Sequence, residues 1–592
     1  MIYISRSTDL TLSALAQMPF VDGVVLAAVT GLPKRTAREA LRRLCEHGYV
    51  GTVPYTRSDG TRVRLAYLKF AGIEELAQSR LAGESASDLV ADNDMLSAQG
   101  REYLLQRLDV ALVLYRVAQA AAAAAGDAEG LRFTWRWETQ GVLEAVLQLQ
   151  DGRTIAISRI GSTHTGKAIR SRLEAIRNMH KRSEAKGKVY TTLLLVPGVI
   201  EHERALAFMD NADVEGVHVA VEAKVVGSAL DSRVWETPLG TRASMADALA
   251  KTPPSKMPPT RRAEEDPILP SPDIRDDAGT MGMVSSELSV SGRTLLRLLY
   301  DYPIIRVPEL QRMMGVSKGH LTRVKAELKR AGLVHYFSIG RTVNGRRRNG
   351  RRVALSELGL RYLRTVDRSS AQFIRAFWLI EPCGEGEEDS DKKYHVPGMR
   401  VTGSKAHVLL KERLHTDGVY AFLSLLMQSC RNSLSWDIVQ ALPAHRWERH
   451  FKHGRSTNRQ HPYISRSIRP DATFVLKHPD RSFASFVVEF ERSATSPFPM
   501  SEKIEKYRHY FAAESTAQDF PDGRPTILFV YETRDNAGNF VTHASTKGGS
   551  ELPMLVTSLE DLERAGGVFR DCWLSPRHLS AGYRGLRPMT PG

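Results

Sequence analysis

The sequence is short of cysteine: Cys45, Cys383, Cys430 and Cys572 are the four in 592 residues. They are widely scattered, form no CxxC pair and have no His-x3-5-His partner. That pattern suggests neither a zinc site nor a disulfide framework and leaves reduced thiols as the simpler account. Long apolar runs are missing as well. No segment approaches the roughly 20 uninterrupted apolar residues that span a bilayer, and the first residues carry no basic stretch followed by an apolar core. The expectation is therefore a cytoplasmic protein with no membrane partner. Histidines form no HxH-type cluster, which argues against a relaxase-type nucleophile at Tyr507 or Tyr510. Acids are in deficit: 67 Asp and Glu stand against 82 Lys and Arg, a formal net charge of +15. Such an excess favours a polyanion, either nucleic acid or an anionic membrane surface.

What is present is ordinary for a globular chain, with 42% apolar and 25% charged residues. The length calls for about three to five domains. Residues 1–80 read as a winged helix. Leu10 to Gln17 and Val21 to Val29 have helical pattern, and Gly31-Leu32-Pro33 turns into a basic helix from Lys34 to Leu44. Ala37, Leu41 and Leu44 give that helix a buried stripe, which leaves Lys34, Arg35, Arg38, Arg42 and Arg43 on exposed faces. Asp59-Gly60 marks a hairpin turn with Arg62 on the returning strand. This order of elements places a recognition helix in the major groove of double-stranded DNA.

The order returns at 290–368, with helices over Thr294 to Tyr300 and Val307 to Met314. Gly315-Val316-Ser317 then turns into a helix from Lys318 to Arg330. Lys318, His320, Arg323 and Lys325 are its DNA-binding candidates. Its wing is longer and more basic, with turn signals at Asn344-Gly345 and Asn349-Gly350. Arg346, Arg347, Arg348 and Arg351 there suit phosphates or a minor groove.

Each module is followed by alternating strands and helices, at 96–240 and at 400–580, which indicates α/β sheets with helices packed on them. A Pro-rich stretch at 241–289 reads as a linker, and the acidic run from Glu385 to Asp391 as a disordered loop. The predicted fold is α/β with winged helix-turn-helix domains, a tandem duplication of winged helix plus α/β domain. In the repeat, Leu143-Glu144-Ala145 aligns with Pro470-Asp471-Ala472, and Ile157 and Arg159 with Glu489 and Glu491. The first copy has thus lost two acids and is expected to be a degenerate, structural or DNA-contacting domain. Glu222-Ala223-Lys224 falls on a late strand of that copy, in the wrong topological place for a site.

The stretch from Ile468 to Phe511 carries the chemistry. Asp471 leads into an apolar run, Ala472 to Leu476, and a second run from Phe483 to Val488 ends in Glu489-Phe490-Glu491. Strand alternation sends Glu489 and Glu491 to the same face, where they can converge with Asp471. Such a cluster suits a hard divalent cation, Mg2+ or Mn2+, which takes oxygen ligands; no organic cofactor is expected. A following helix, Ser501 to Tyr510, brings Lys503 and Lys506 nearby. Asp417 is a further acidic candidate, whereas His407, His415 and His509 read as surface or core histidines.

The motif order resembles the metal-dependent PD-(D/E)xK nuclease fold, with Pro470-Asp471 as the first motif. It departs from that pattern at Glu491, where the family usually has lysine; in some branches the lysine sits on the following helix, here Lys503 or Lys506. More narrowly, RPDATFVL followed by VVEFERS and EKIEKYRHYF is similar to the replication-relaxation family of mobile-element proteins, which join a winged helix to a nuclease-like domain. The resemblance implies a restriction-endonuclease-like domain at 400–580. Asp471, Glu489 and Glu491 would be its metal ligands, and with Lys503 and Lys506 its catalytic residues. It leaves open a non-enzymatic initiator or accessory factor on an inactive scaffold. A homodimer or a mobile-element partner protein is open too.

Overall fold

A computed structural model describes residues 5–80, 85–126, 130–184, 191–212, 214–254, 268–271, 274, 279–343, 346–370, 378–383, 396, 398–455, 463–480, 482–492, 497–513 and 519–586. The chain is mixed α/β and divides into two compact units, Met1–Arg293 with Tyr362–Ser369, and Thr294–Arg361 with Ser370–Gly592. Part of the Pro-rich stretch, the acidic run and Asn344-Gly345 lie outside the described residues. Among the described residues no helix is long and apolar enough to cross a membrane.

The first unit opens with three helices, Arg6–Gln17, Gly23–Thr30 and Lys34–Glu46, and a hairpin of Val50–Thr56 against Arg62–Leu68. Asp22 starts the second helix by accepting from the amides of Val24 and Val25. Gly31, at φ +68°, ends it in the left-handed turn that a Cβ would disfavour. The second unit has the same local sequence of elements: Val290–Asp301, Val307–Met314 closed by Gly315 at φ +66°, and Lys318–Arg330 capped by Ser317. A hairpin of Val334–Val343 against Arg346–Leu355 follows. Asn349-Gly350 is not a turn there. Gly350 pairs with Ile339 and Asn349 with Gly340, so the strand runs straight through both.

The sheet of the first unit has seven strands in chain order: Phe133–Trp137, Leu143–Leu149, Thr154–Arg159, Thr191–Val196, Val217–Val221, Trp235–Glu236 and Arg242–Ala243. The first two pairings are antiparallel and the next two parallel. The sheet of the second unit has five, Asp437–Pro443, Ala472–Lys477, Phe483–Glu491, Thr526–Tyr531 and Met554–Ser558, with the same succession of pairings. Parallel neighbours need a crossover, which the helices Pro497–Ala512 and Arg534–Thr546 supply. The buried strands Thr191–Val196 and Thr526–Tyr531 are apolar throughout or nearly so, as central strands covered on both faces must be.

The outer edges of the sheets are irregular. In the first unit one edge ends in strands of two residues, and on the other the Trp135 amide donates to Gln17 Oε1 at 2.7 Å. In the second unit the edge strand Asp437–Pro443 has a register shift between Ile438 and Gln440 and ends in proline.

Ahead of each sheet a long helical stretch is broken: Ala98–Gln106 is followed by Leu108–Ala124, and Ser404–Lys411 by Arg413–Arg431. The junction residues, Arg107 (φ −123°, ψ 25°) and Glu412 (φ −99°, ψ 27°), leave helical geometry. At Arg107 the reason is visible: its guanidinium turns inward to a buried carboxylate rather than along the helix surface. Within the stretch read as a linker, Met245–Ala250 is a helix capped by Ser244 that buries Met245, Ala248 and Leu249.

Candidate nuclease site and basic helices

Asp471 precedes the strand Ala472–Lys477, and its amide donates to the Val488 carbonyl at 2.9 Å, which seats it beside the end of the strand Phe483–Glu491. Its Oδ2 accepts from the Phe490 amide at 2.8 Å and its Oδ1 lies 2.9 Å from His415 Nε2. Glu489, 8% exposed, accepts the Tyr507 hydroxyl on Oε1 at 2.7 Å and the Lys503 ammonium on Oε2 at 2.9 Å. Lys503 also pairs with Glu491. Both glutamates therefore face the same way, and one lysine from the crossover helix bridges them. Lys506 lies exposed and, among the described residues, makes no ion pair with the three acids.

Burial and neighbouring charge act together on Glu489, Lys503 and His415. Burial pushes the Glu489 carboxyl above the usual range, and the charge of Asp471 adds to the rise, against the pull of Lys503 and Tyr507. Burial works against a charged Lys503, yet Glu489 and Glu491 outweigh it and hold the ammonium above its ordinary value. His415 is likewise disfavoured as a cation by burial, but its bond to Asp471 and that residue's charge raise it overall. The hydroxyls of Tyr507 and Tyr510 are buried on Glu489 and Asp519, so neither is placed as a nucleophile.

Among the described residues no three His, Cys, Asp or Glu side chains stand together as a metal cage. Mg2+ does not need one, because it is held by one or two carboxylates and keeps several waters. Asp471 and Glu489 fit that demand: they are hard oxygen donors, Asp471 is close enough to raise the Glu489 carboxyl, and each engaged carboxylate oxygen has a second lone pair. Asp417 does not belong to the set. Its two oxygens are taken by the buried Arg352 at 2.8 and 2.7 Å, so this predicted ligand is a structural counter-ion, and Arg352 is withdrawn from the basic hairpin.

The place in the first unit that the sequence alignment matches to this site is filled with paired charge. Matching Ala145 with Ala472, the strand registers put Ser158 at the position of Glu489, Arg159 at that of Phe490 and Ile160 at that of Glu491, a shift of one residue from the sequence alignment. Glu144, 1% exposed, lies 2.9 Å from Arg107, 3.3 Å from Arg368 and 3.6 Å from Arg172. Burial disfavours its charge, but the three guanidinium groups outweigh this and hold its carboxyl below the ordinary range. Arg159 pairs with Glu222 at 2.7 Å and with Asp367 at 2.9 Å. Glu222, on the helix Glu222–Gly227, is thereby a partner of Arg159.

Lys34, Arg35, Arg38 and Arg42 project to solvent from the helix Lys34–Glu46, and Arg62 from the hairpin strand. Arg42 is tied to Glu39 at 2.7 Å and to Glu46, and Arg43 to Glu39 at 3.0 Å, so part of this helix is neutralised by its own acids. On Lys318–Arg330, Lys318 and Arg323 are exposed and His320 is half-buried. Lys325 lies over the Tyr336 ring at 4.8 Å rather than facing out freely, and burial lowers its ammonium. Arg351 is exposed; the side chains of Arg346, Arg347 and Arg348 lie outside the described residues.

His415, set aside in the sequence as a surface or core histidine, lies beside Asp471. Its signal was helical spacing: His415, Gly418 and Phe422 fall at i, i+3 and i+7 of the helix Arg413–Arg431, and the last two are packed against the sheet. A histidine at the N-terminal end of such a stripe is directed at the strand ends. No protein-family model, no curated protein and no solved structure matches this chain.

Proposed function

We propose that this chain is a DNA-binding protein of a mobile element whose second unit hydrolyses phosphodiester bonds with Mg2+ or Mn2+. Double-stranded DNA would be held by two winged-helix modules. The observation that carries the reading is Lys503. The lysine missing from the place of Glu491 is supplied from the crossover helix and meets both Glu489 and Glu491 next to Asp471. That is the arrangement expected of a PD-(D/E)xK-like site with a displaced lysine. A tandem duplication is supported by the shared succession of sheet pairings and by the matching break in each long helix.

In this reading Asp471 and Glu489 hold the divalent cation. When bound, the cation lowers the pKa of a coordinated water and offsets charge developing on the phosphate. Glu491 would orient the attacking water, and Lys503 would offset charge on the phosphate oxygens. The first unit, with Glu144 neutralised by arginines, keeps a scaffold or DNA-contacting role. The basic helices Lys34–Glu46 and Lys318–Arg330 supply the sequence-independent grip on phosphates.

A second reading, a non-enzymatic initiator or accessory factor for replication or conjugation, is favoured by one observation: Lys503 already neutralises the acids. The deciding experiment is cleavage of supercoiled plasmid by the full chain with Mg2+, Mn2+ or EDTA, wild type against Asp471→Ala. Metal-dependent nicking that disappears in the variant is the expected result. Intact plasmid throughout, with a salt-sensitive gel shift kept by both proteins, would establish the second reading.

A further inference from the structure

Asp471 is held more firmly than a strand-end carboxylate in water, and the hold is built in three layers. Gly418 comes first. A Cβ added there would sit 2.0 Å from Phe490 Cζ, so only glycine lets the helix Arg413–Arg431 lie directly on the Phe490 ring. That contact fixes Phe490, whose amide donates to Asp471 Oδ2. Three residues before Gly418 on the same helix, His415 packs edge-on against Phe490, with ring centroids 5.6 Å apart and planes at 74°. From there its Nε2 reaches Asp471 Oδ1 at 2.9 Å. The ring is braced by an aromatic neighbour, its side chain is 30% exposed, and among the described residues its polar partner is Asp471.

We propose that His415 is the positioning residue of the site, fixing Asp471 in the orientation in which it takes a divalent cation. The inference rests on the hydrolase reading above and adds a residue to it. His415 does not touch the reacting phosphate; it acts through Asp471. Groups that orient a metal ligand from behind are worth about 10–100-fold in metal affinity when removed.

The test is calorimetric titration of the full chain with Mn2+, without DNA, for wild type, His415→Asn, His415→Gln and Asp471→Ala. Glutamine places its amide nitrogen close to the position of Nε2 and can still donate to Asp471. Asparagine, equally polar, reaches only the Nδ1 position. The expected result is Mn2+ binding weakened about 10–100-fold by His415→Asn and largely kept by His415→Gln, with both variants melting within a few degrees of wild type. A purely structural histidine would show the same Mn2+ affinity in both variants. That outcome, with Asp471→Ala still abolishing binding, overturns the role of His415 and leaves the hydrolase reading standing. Absence of Mn2+ binding in wild type overturns both.

Discussion

Lys503→Met tests the central electrostatic claim. Lys503 is the ammonium that Glu489 and Glu491 share, and Glu489 is almost fully buried. Removing one partner of a buried ion pair costs about 3–5 kcal/mol because the other charge is stranded. The lysine side chain is 36% exposed and keeps part of its water, which discounts that range to about 2–3 kcal/mol. For a unit of this size that is a fall in Tm of about 5–10 °C. The loss should depend on pH in a definite direction. Glu489 already has its carboxyl raised by burial, and without the ammonium it rises further. An acid whose folded-state value is raised is neutral and carries no penalty below its unfolded value of about 4.3. Its penalty then grows as pH climbs through the folded value. Scanning fluorimetry should therefore show a large Tm difference between wild type and Lys503→Met at pH 8 that narrows toward pH 5. An equal difference at both, or no difference, would refute the stranded-carboxylate argument.

Three further outcomes are expected. Gly418→Ala should cost about 1–3 kcal/mol by overpacking against Phe490; Phe490→Leu in the same chain should recover part of it, as a double-mutant cycle by chemical denaturation would read. Glu144→Gln leaves Arg107, Arg172 and Arg368 without their shared carboxylate and should destabilise the first unit by about 3–5 kcal/mol, while Mn2+ titration of the second unit stays unchanged. The triple variant Lys34→Ala, Arg35→Ala, Arg38→Ala should weaken DNA binding across unrelated sequences and lower the slope of log affinity against log salt by up to about 0.9 per lost phosphate contact; an unchanged slope would remove this helix from the interface.

Much of the local structure was legible because its signals are local. The strands Ala472–Lys477 and Phe483–Glu491 follow from apolar runs bounded by polar turns, and the helix Lys318–Arg330 from its cap and buried stripe. The convergence of Glu489 and Glu491 follows from strand alternation alone. What could not be read was which long-range partner each charge would choose. Asp417 and Arg352 are 65 positions apart and His415 and Asp471 are 56 apart, and both pairs depend on where a helix lands on a sheet. The one-residue shift at Arg159 has a similar origin, since it is set by the cross-strand pairing of Ala145 with Ile157 against that of Ala472 with Val488. Asn349-Gly350 misled because a turn dipeptide has no force when a neighbouring strand satisfies its backbone.

The irregular sheet margins also bear on solubility. An open strand presents unpaired amides and carbonyls that can recruit another copy's strand and seed aggregation. Here two-residue strands offer too few groups to extend the seven-stranded sheet at one margin. Gln17 occupies an amide on the other. The strand Asp437–Pro443 carries both a kink and a residue that cannot donate. These three margins are thus blunted against self-templating by different devices, and a design that regularised them would raise strand content at the cost of self-association.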